Sequence, residues 1–145
     1  MSEQEQGQQG EADKEPTAYD VVGGAARLKA LVDRFYVLMD SEPEFAVIRR
    51  LHPADLAGSN DKLYTFLSGW LGGPPLYVHK YGHPMLRARH LPFAIGSPER
   101  DQWVACMSRA MADVGIEGEL AEALRDAFFK TADWMRNRPG DLPAL

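Results

Sequence analysis

A single stretch of the sequence, GHPMLRARHLPFAIG at residues 82–96, separates the strongly helical parts of the chain. It ends a longer region, from Gly72 to Ile95, that is rich in proline, glycine and aromatic residues and leaves room for only about two helical turns, from Met85 to His90. Segments of this kind between strong helices often carry functional groups, because they are free of the packing demands of the core. The stretch divides the fold and is the first place to look for a binding site.

Helical periodicity dominates the chain on both sides of this stretch. Apolar residues recur at spacings of three and four, the pattern of an amphipathic helix, in four segments. The four predicted helices cover residues 25–40, 56–71, 97–115 and 119–137. Ser97, Pro98 and Glu99 have the properties of an N-cap followed by a first helical turn. Because no segment of useful length alternates like a strand, we predict an all-α fold.

The N-terminal residues 1–17 differ from the rest of the chain in composition. They contain no large apolar side chain beyond Met1, and their five acidic residues face a single lysine, so they carry most of the net charge of -5. Such a segment cannot bury enough apolar area to offset the entropy of ordering. We predict a disordered tail over residues 1–17 and one domain over residues 18–145, a usual domain length.

The bulk composition excludes several classes of protein. The predicted domain is nearly neutral, so it offers no basic surface for nucleic acid. No apolar run approaches the roughly 20 residues that cross a bilayer. The acid-rich N-terminus does not resemble a secretory signal, so a cytoplasmic protein is expected. Cys106 is the only cysteine, which excludes an internal disulfide and a thioether-forming C-x-x-C-H motif.

The four histidines are the natural candidates for binding a metal. Their spacing does not suit zinc, and only His90 has notable neighbours: Arg87, Arg89 and Phe93. An imidazole, two guanidinium groups and an aromatic ring would supply a buried haem with an iron ligand, partners for its propionates and apolar contact. The simpler interpretation is that His90 caps a short helix while the arginines face water. The residue types alone leave both interpretations open.

A family resemblance favours the first interpretation. The string at residues 82–96, followed by ERDQW at 99–103, resembles the proximal segment of a group II truncated haemoglobin. YDVVGGA at 19–25, RFY at 34–36 and GGP at 72–74 are similar to the same family in the same order. The resemblance covers roughly residues 18–138.

The resemblance implies a shortened globin fold, two helices over two, around a non-covalent b-type haem. His90 is then the proximal ligand, and Tyr36 and Trp103 face the bound gas. Ser59 takes the position of the distal histidine of ordinary globins. His52 departs from many relatives, which carry Tyr or Phe there; it is expected to orient the Tyr36 hydroxyl or to contact the ligand from the haem edge.

The remaining residues of the implied pocket are expected to contact the haem itself. Polar partners for the propionates are Tyr77, Arg87 and Arg89. Apolar contacts are expected from Leu63, Phe66, Leu67, Phe93 and Met107.

Three functions follow from these expectations. The first is reversible binding of O2, CO or NO at the haem. The second is a redox reaction, such as nitric oxide dioxygenation or a peroxidase-like reaction, that draws electrons from a separate reductase, because the sequence has no G-x-G-x-x-G segment of its own. The third is a helical interaction domain that binds no haem. A Soret absorption band separates the third from the other two.

Overall fold

A computed structural model of the protein describes residues 15–138. Within that range the chain forms eight α-helices, one short 3-10 helix and no β-strand, so the predicted all-α class is confirmed. The α-helices are α1 Ala18–Val22, α2 Gly24–Ser41, α3 Ala46–Arg49, α4 Ala57–Trp70, α5 Leu76–Tyr81, α6 Leu86–His90, α7 Ser97–Asp113 and α8 Gly118–Trp134, and the 3-10 helix Pro43–Phe45 precedes α3. None of these helices is both long and apolar enough to span a membrane.

The core forms where α2 packs against α4 and α7, and where α7 packs against α8. These are the four helices that the periodicity predicts, and their ends agree with the prediction to within three residues. Side chains at helical spacing on α2 and α7 are fully buried, and they include Leu28, Val32, Phe35, Met107 and Met111. Burial of each such side chain stabilises the fold by about 1.5–3 kcal/mol. The long helices are therefore fixed by their apolar faces.

The first described helix, α1, was not predicted because five residues are too few to show a helical period. Thr17 is its N-cap: the Thr17 side-chain oxygen accepts a hydrogen bond from the Asp20 N–H at 3.2 Å, and Asp20 Oδ2 accepts one from the Thr17 N–H at 3.1 Å. The Tyr19 N–H donates to the Leu71 carbonyl at 2.9 Å and ties α1 to the end of α4. Thr17 therefore belongs to the fold, although the predicted tail includes it; residues 1–14 of that tail lie outside the described residues.

The close approach of α1 to the end of α4 explains the Gly73 of the GGP motif. A Cβ atom on Gly73 would lie 2.5 Å from the Tyr19 ring, which is too close for two carbon atoms that are not bonded to each other. A side chain at this position would displace α1. The glycine and the tyrosine, which are far apart in sequence, therefore form one packing unit.

The region from Gly72 to Ile95, between the long helices, holds two short helices rather than the single one predicted. The predicted turns begin at Leu86, as α6, and α5 precedes them. Gly82, with φ of +83°, ends α5 in a conformation that favours glycine. The N-cap of α7 is Gly96 instead of the predicted Ser97, because the Gly96 N–H donates to Glu99 Oε1 at 2.7 Å.

The cap of α1 yields a stability prediction. Replacing Thr17 with Ala removes the acceptor for the Asp20 N–H and is expected to lower the free energy of unfolding by about 1 kcal/mol. Thr17→Ser keeps the acceptor and serves as the control, with a change of at most a few tenths of a kcal/mol expected. Urea unfolding of the three proteins measures the difference. Equal stability of Thr17→Ala and the wild type would show that the cap contributes nothing.

Candidate functional site

A cavity of about 590 Å³ lies between the helices. Residues of every helix from α2 to α8 line it, together with the segments that join them. Ten of the twelve predicted site residues are brought together there: Tyr36, His52, Leu63, Phe66, Leu67, Tyr77, Arg89, His90, Phe93 and Trp103. Ser59 lines the same cavity. The structure therefore gathers residues that are spread over almost 70 positions of the sequence into one place.

Arg87 and Met107 are the two predicted site residues that do not line the cavity. The Arg87 guanidinium donates to the carbonyls of Trp134 and Arg136, the latter at 3.2 Å, and so serves to join α6 to the end of α8. Met107 lies one turn after Trp103 on α7, but it is fully buried in the core cluster instead. Sequence spacing cannot separate a side chain that faces a cavity from one that faces a neighbouring helix.

His90 is held in a defined orientation at the end of α6. Its Nδ1 atom lies 2.6 Å from the Leu86 carbonyl oxygen, one turn earlier in the same short helix. Because a carbonyl can only accept, Nδ1 carries the proton, and in the neutral ring Nε2 then keeps its lone pair. This is the arrangement that a metal-binding imidazole usually has, with one nitrogen fixed by a hydrogen bond and the other available.

Two polar side chains from other elements line the cavity near each other. Tyr36, only 8% exposed, donates its hydroxyl hydrogen to the Ser59 carbonyl at 3.2 Å. The His52 ring lies edge-on to the Tyr36 ring, with 5.9 Å between the centroids, and His52 Nδ1 pairs with the Ile48 carbonyl at 2.8 Å. The Ser59 carbonyl, and not His52, therefore orients the Tyr36 hydroxyl.

Burial sets the charge state of both groups. It raises the pKa of Tyr36, and the proximity of Cys106 acts in the same direction. Burial also lowers the pKa of His52; the hydrogen bond to Ile48 opposes this effect and the nearby Arg49 charge reinforces it. Both groups are consequently neutral near neutral pH. The cavity presents hydrogen-bonding groups without a fixed charge from either of them.

Trp103 is fixed by two neighbouring rings but has an unused donor. Its ring centroid lies 5.2 Å from that of Phe35 and 5.5 Å from that of Phe128. Its indole N–H has no hydrogen-bond partner among residues 15–138. The Tyr77 hydroxyl, on a residue that is 7% exposed, also has none within that range. Two cavity-lining donors are therefore left for a group that the polypeptide does not provide.

Several lining residues were not predicted as part of the site. Trp70 stacks on Phe128, with 4.9 Å between the ring centroids and an angle of 21°. Phe128, Thr131 and Met135 form one stripe on and just after α8, and all three line the cavity. The periodicity identifies this stripe as apolar, but it does not show that the stripe faces a cavity rather than solid core. The lining also contains the cations Lys62, Arg89 and Arg100, of which Arg100 is paired with Asp101 and Asp133, and the acidic Glu99.

These residues fit a haem. The lining is mostly apolar, as the macrocycle requires, and it contains the imidazoles of His90 and His52, each with Nδ1 bonded to a carbonyl and Nε2 left over, cations for the propionates and two unpartnered donors. A small helical fold with such a cavity is that of a globin.

Comparison with known proteins agrees with this class. The family model described as bacterial-like globin matches residues 17–137. Group 2 truncated hemoglobin YjbI of Bacillus subtilis (strain 168) is 44% identical over 120 residues, which are 83% of this chain and 88% of that protein. The chain therefore belongs to the bacterial-like globin family, among the group II truncated haemoglobins.

Solved structures confirm the two-over-two helical fold. The group II 2-on-2 haemoglobin of Agrobacterium tumefaciens superposes with a TM-score of 0.82 at 47% identity, over 86% of this chain and 97% of that one. The truncated oxygen-avid haemoglobin of Bacillus subtilis gives a TM-score of 0.76 at 44% identity, over 84% of this chain and all of that one, 100%. Binding of small ligands at a haem is the general function of this family.

Proposed function

We propose that the protein binds O2, and with it CO and NO, reversibly at a non-covalent haem b held by His90. The observation that carries the proposal is the fixed His90 ring, whose Nε2 is available in the cavity that Trp103 also lines. The single cysteine, Cys106, is fully buried in the core and does not line the cavity, in keeping with a haem that is not covalently attached. The reductase-dependent alternative would use the same site, but no contact within residues 15–138 favours it.

The chain supplies the groups that would hold the haem, which when bound brings an iron atom with an open coordination position for a diatomic ligand. His90 Nε2 would bind the iron, and the Leu86 carbonyl would keep the imidazole in the required tautomer. Arg89 and the Tyr77 hydroxyl would pair with the propionates. Apolar side chains would surround the macrocycle, among them Leu63, Phe66, Leu67 and Phe93.

The polar groups of the cavity would hold a diatomic ligand to different degrees. The indole N–H of Trp103 has no competing acceptor among the described residues, so it would donate fully to the ligand. The hydrogen of the Tyr36 hydroxyl is shared with the Ser59 carbonyl, so Tyr36 would have to give up or divide that bond. We therefore assign the larger contribution to Trp103. His52, with Nδ1 paired to Ile48, would contact the ligand only from the edge.

The nature of the ligand is supported by one relative. The solved structure from Bacillus subtilis is that of a haemoglobin described as oxygen-avid. A cavity with an unshared indole donor suits O2, which becomes polarised when it is bound at a haem. Hydrogen bonds to charged or strongly polarised groups contribute about 1.5–3 kcal/mol each. O2 is therefore the ligand that we place first.

The assignment of His90 as the ligand of the haem iron is tested by His90→Gly. Removal of the imidazole is expected to abolish most of the haem affinity, and added free imidazole is expected to restore the Soret band, because it can occupy the vacated space. His83→Gly is the matched control, since His83 is exposed and lends only its backbone carbonyl to Arg89. Loss of haem from His83→Gly together with a normal spectrum of His90→Gly would show that His90 is not the iron ligand.

The unequal roles of Trp103 and Tyr36 are tested by the rate of O2 release. Trp103→Phe keeps a ring but removes the donor, and it is expected to speed release about ten-fold or more, since each ten-fold step corresponds to about 1.4 kcal/mol. Tyr36→Phe is expected to have a smaller effect, because the lost hydroxyl already serves Ser59. Stopped-flow measurements give both rates, with CO release as the control for a less polarised ligand. A larger effect of Tyr36→Phe would reverse the assignment.

A further inference from the structure

Asn137 lies three residues beyond the end of α8 and makes hydrogen bonds to a single short segment of the chain. Its backbone N–H donates to the Ile95 carbonyl at 2.8 Å, and its Oδ1 accepts from the Ile95 N–H at 3.0 Å. Its Nδ2 donates to the carbonyls of Phe93 at 2.9 Å and of His90 at 3.3 Å. Both hydrogens of the amide group and its oxygen are therefore used on residues 90–95. We call this set of four bonds the proximal clasp.

The part of the segment around His90 has little apolar packing to fix it. Helix α6 has only five residues, none of them buried, and a helix of that length is not stable alone. It begins after Met85, whose φ of +46° is unfavourable for a residue with a side chain. Leu91 and Phe93, which follow His90, are 55% and 41% exposed. Apolar packing, which fixes the long helices, therefore does not fix the position of His90.

The clasp and the helix bond act on different parts of His90. The Leu86 carbonyl sets the rotation of the imidazole, whereas Asn137 holds the backbone carbonyl of the same residue. Ile95, which pairs with Asn137 twice, is buried and lines the cavity itself. Arg87 adds a second tie between α6 and the end of α8 through the carbonyls of Trp134 and Arg136. The end of α8 thus anchors the segment that carries the imidazole.

We propose that Asn137 is a positioning residue for His90, so that the end of α8 sets how firmly the imidazole is held toward the iron. The inference rests on the proposed function, because it takes His90 as the iron ligand. Asn137 does not line the cavity and has no contact with the ligand in this account. It acts only through the backbone of residues 90–95.

The test compares Asn137→Ala and Asn137→Asp with the wild type in the haem-loaded protein. The Ala variant loses the three side-chain bonds. The Asp variant keeps an acceptor for the Ile95 N–H but turns a carboxylate oxygen toward the carbonyls of His90 and Phe93. Two quantities are measured: the rate of haem transfer to excess apomyoglobin, and the iron–histidine stretching band of the ferrous protein in resonance Raman spectra.

Both variants are expected to transfer haem about ten-fold faster or more, on the usual contribution of hydrogen bonds, and to shift or broaden the band. The control is Asn60→Ala, which removes a comparable amide whose bonds join it to Lys29 and Asp33 on the surface. It is expected to leave both quantities unchanged. Wild-type values of both quantities in Asn137→Ala would show that the clasp does not hold His90, and an equal response in Asn60→Ala would show a general loss of stability; either result overturns the proposal.

The spectra also separate this inference from the assignment on which it rests. If the iron–histidine band persists in His90→Gly, His90 is not the ligand and the proposed function fails. If the band disappears there but is the same in both Asn137 variants as in the wild type, the ligand assignment holds and the clasp alone is wrong.

Discussion

The hydrogen bond from His90 Nδ1 to the Leu86 carbonyl is the interaction on which the site depends. A neutral histidine ring can carry its proton on either of its two nitrogens, and only the nitrogen without the proton can bind a metal. The bond makes this choice within a single turn of helix, so α6 needs no carboxylate partner for its histidine. The rest of the fold keeps this turn in place. The long helices enclose the cavity, and the end of α8 holds the segment in which the turn lies.

The fold combines two ways of fixing a side chain. Residues of α2 and α7, such as Tyr36 and Trp103, are placed by packing: Tyr36 is nearly buried, and Trp103 lies between two aromatic rings. Residues near His90 are placed by polar contacts, because the chain there is exposed and its helix is short. Packing tolerates little adjustment, whereas hydrogen bonds at a surface can be opened locally. The side of the cavity with Tyr36 and Trp103, where the gas would bind, is therefore the rigid one. The side with His90 is the adjustable one.

The sequence predicts the parts of the structure that repeat and misses those that depend on single contacts. The four long helices follow from apolar residues at helical spacing, and a family resemblance identifies ten of the residues that line the cavity. Helices α1 and α5 have too few residues to show a period. The contacts of Arg87 with the end of α8, and of Tyr36 with Ser59, join residues that no local pattern connects. Asn137 gives no sequence signal at all, because its partners are backbone groups.

The proposed function requires that each chain bind one haem. Titration of the haem-free protein with haem, followed by the Soret band, measures this stoichiometry. We expect a rise that stops sharply at one equivalent of haem per chain, because the residues that fit a haem all line the same cavity. A spectrum that stays that of free haem at every ratio would show that the chain holds no haem.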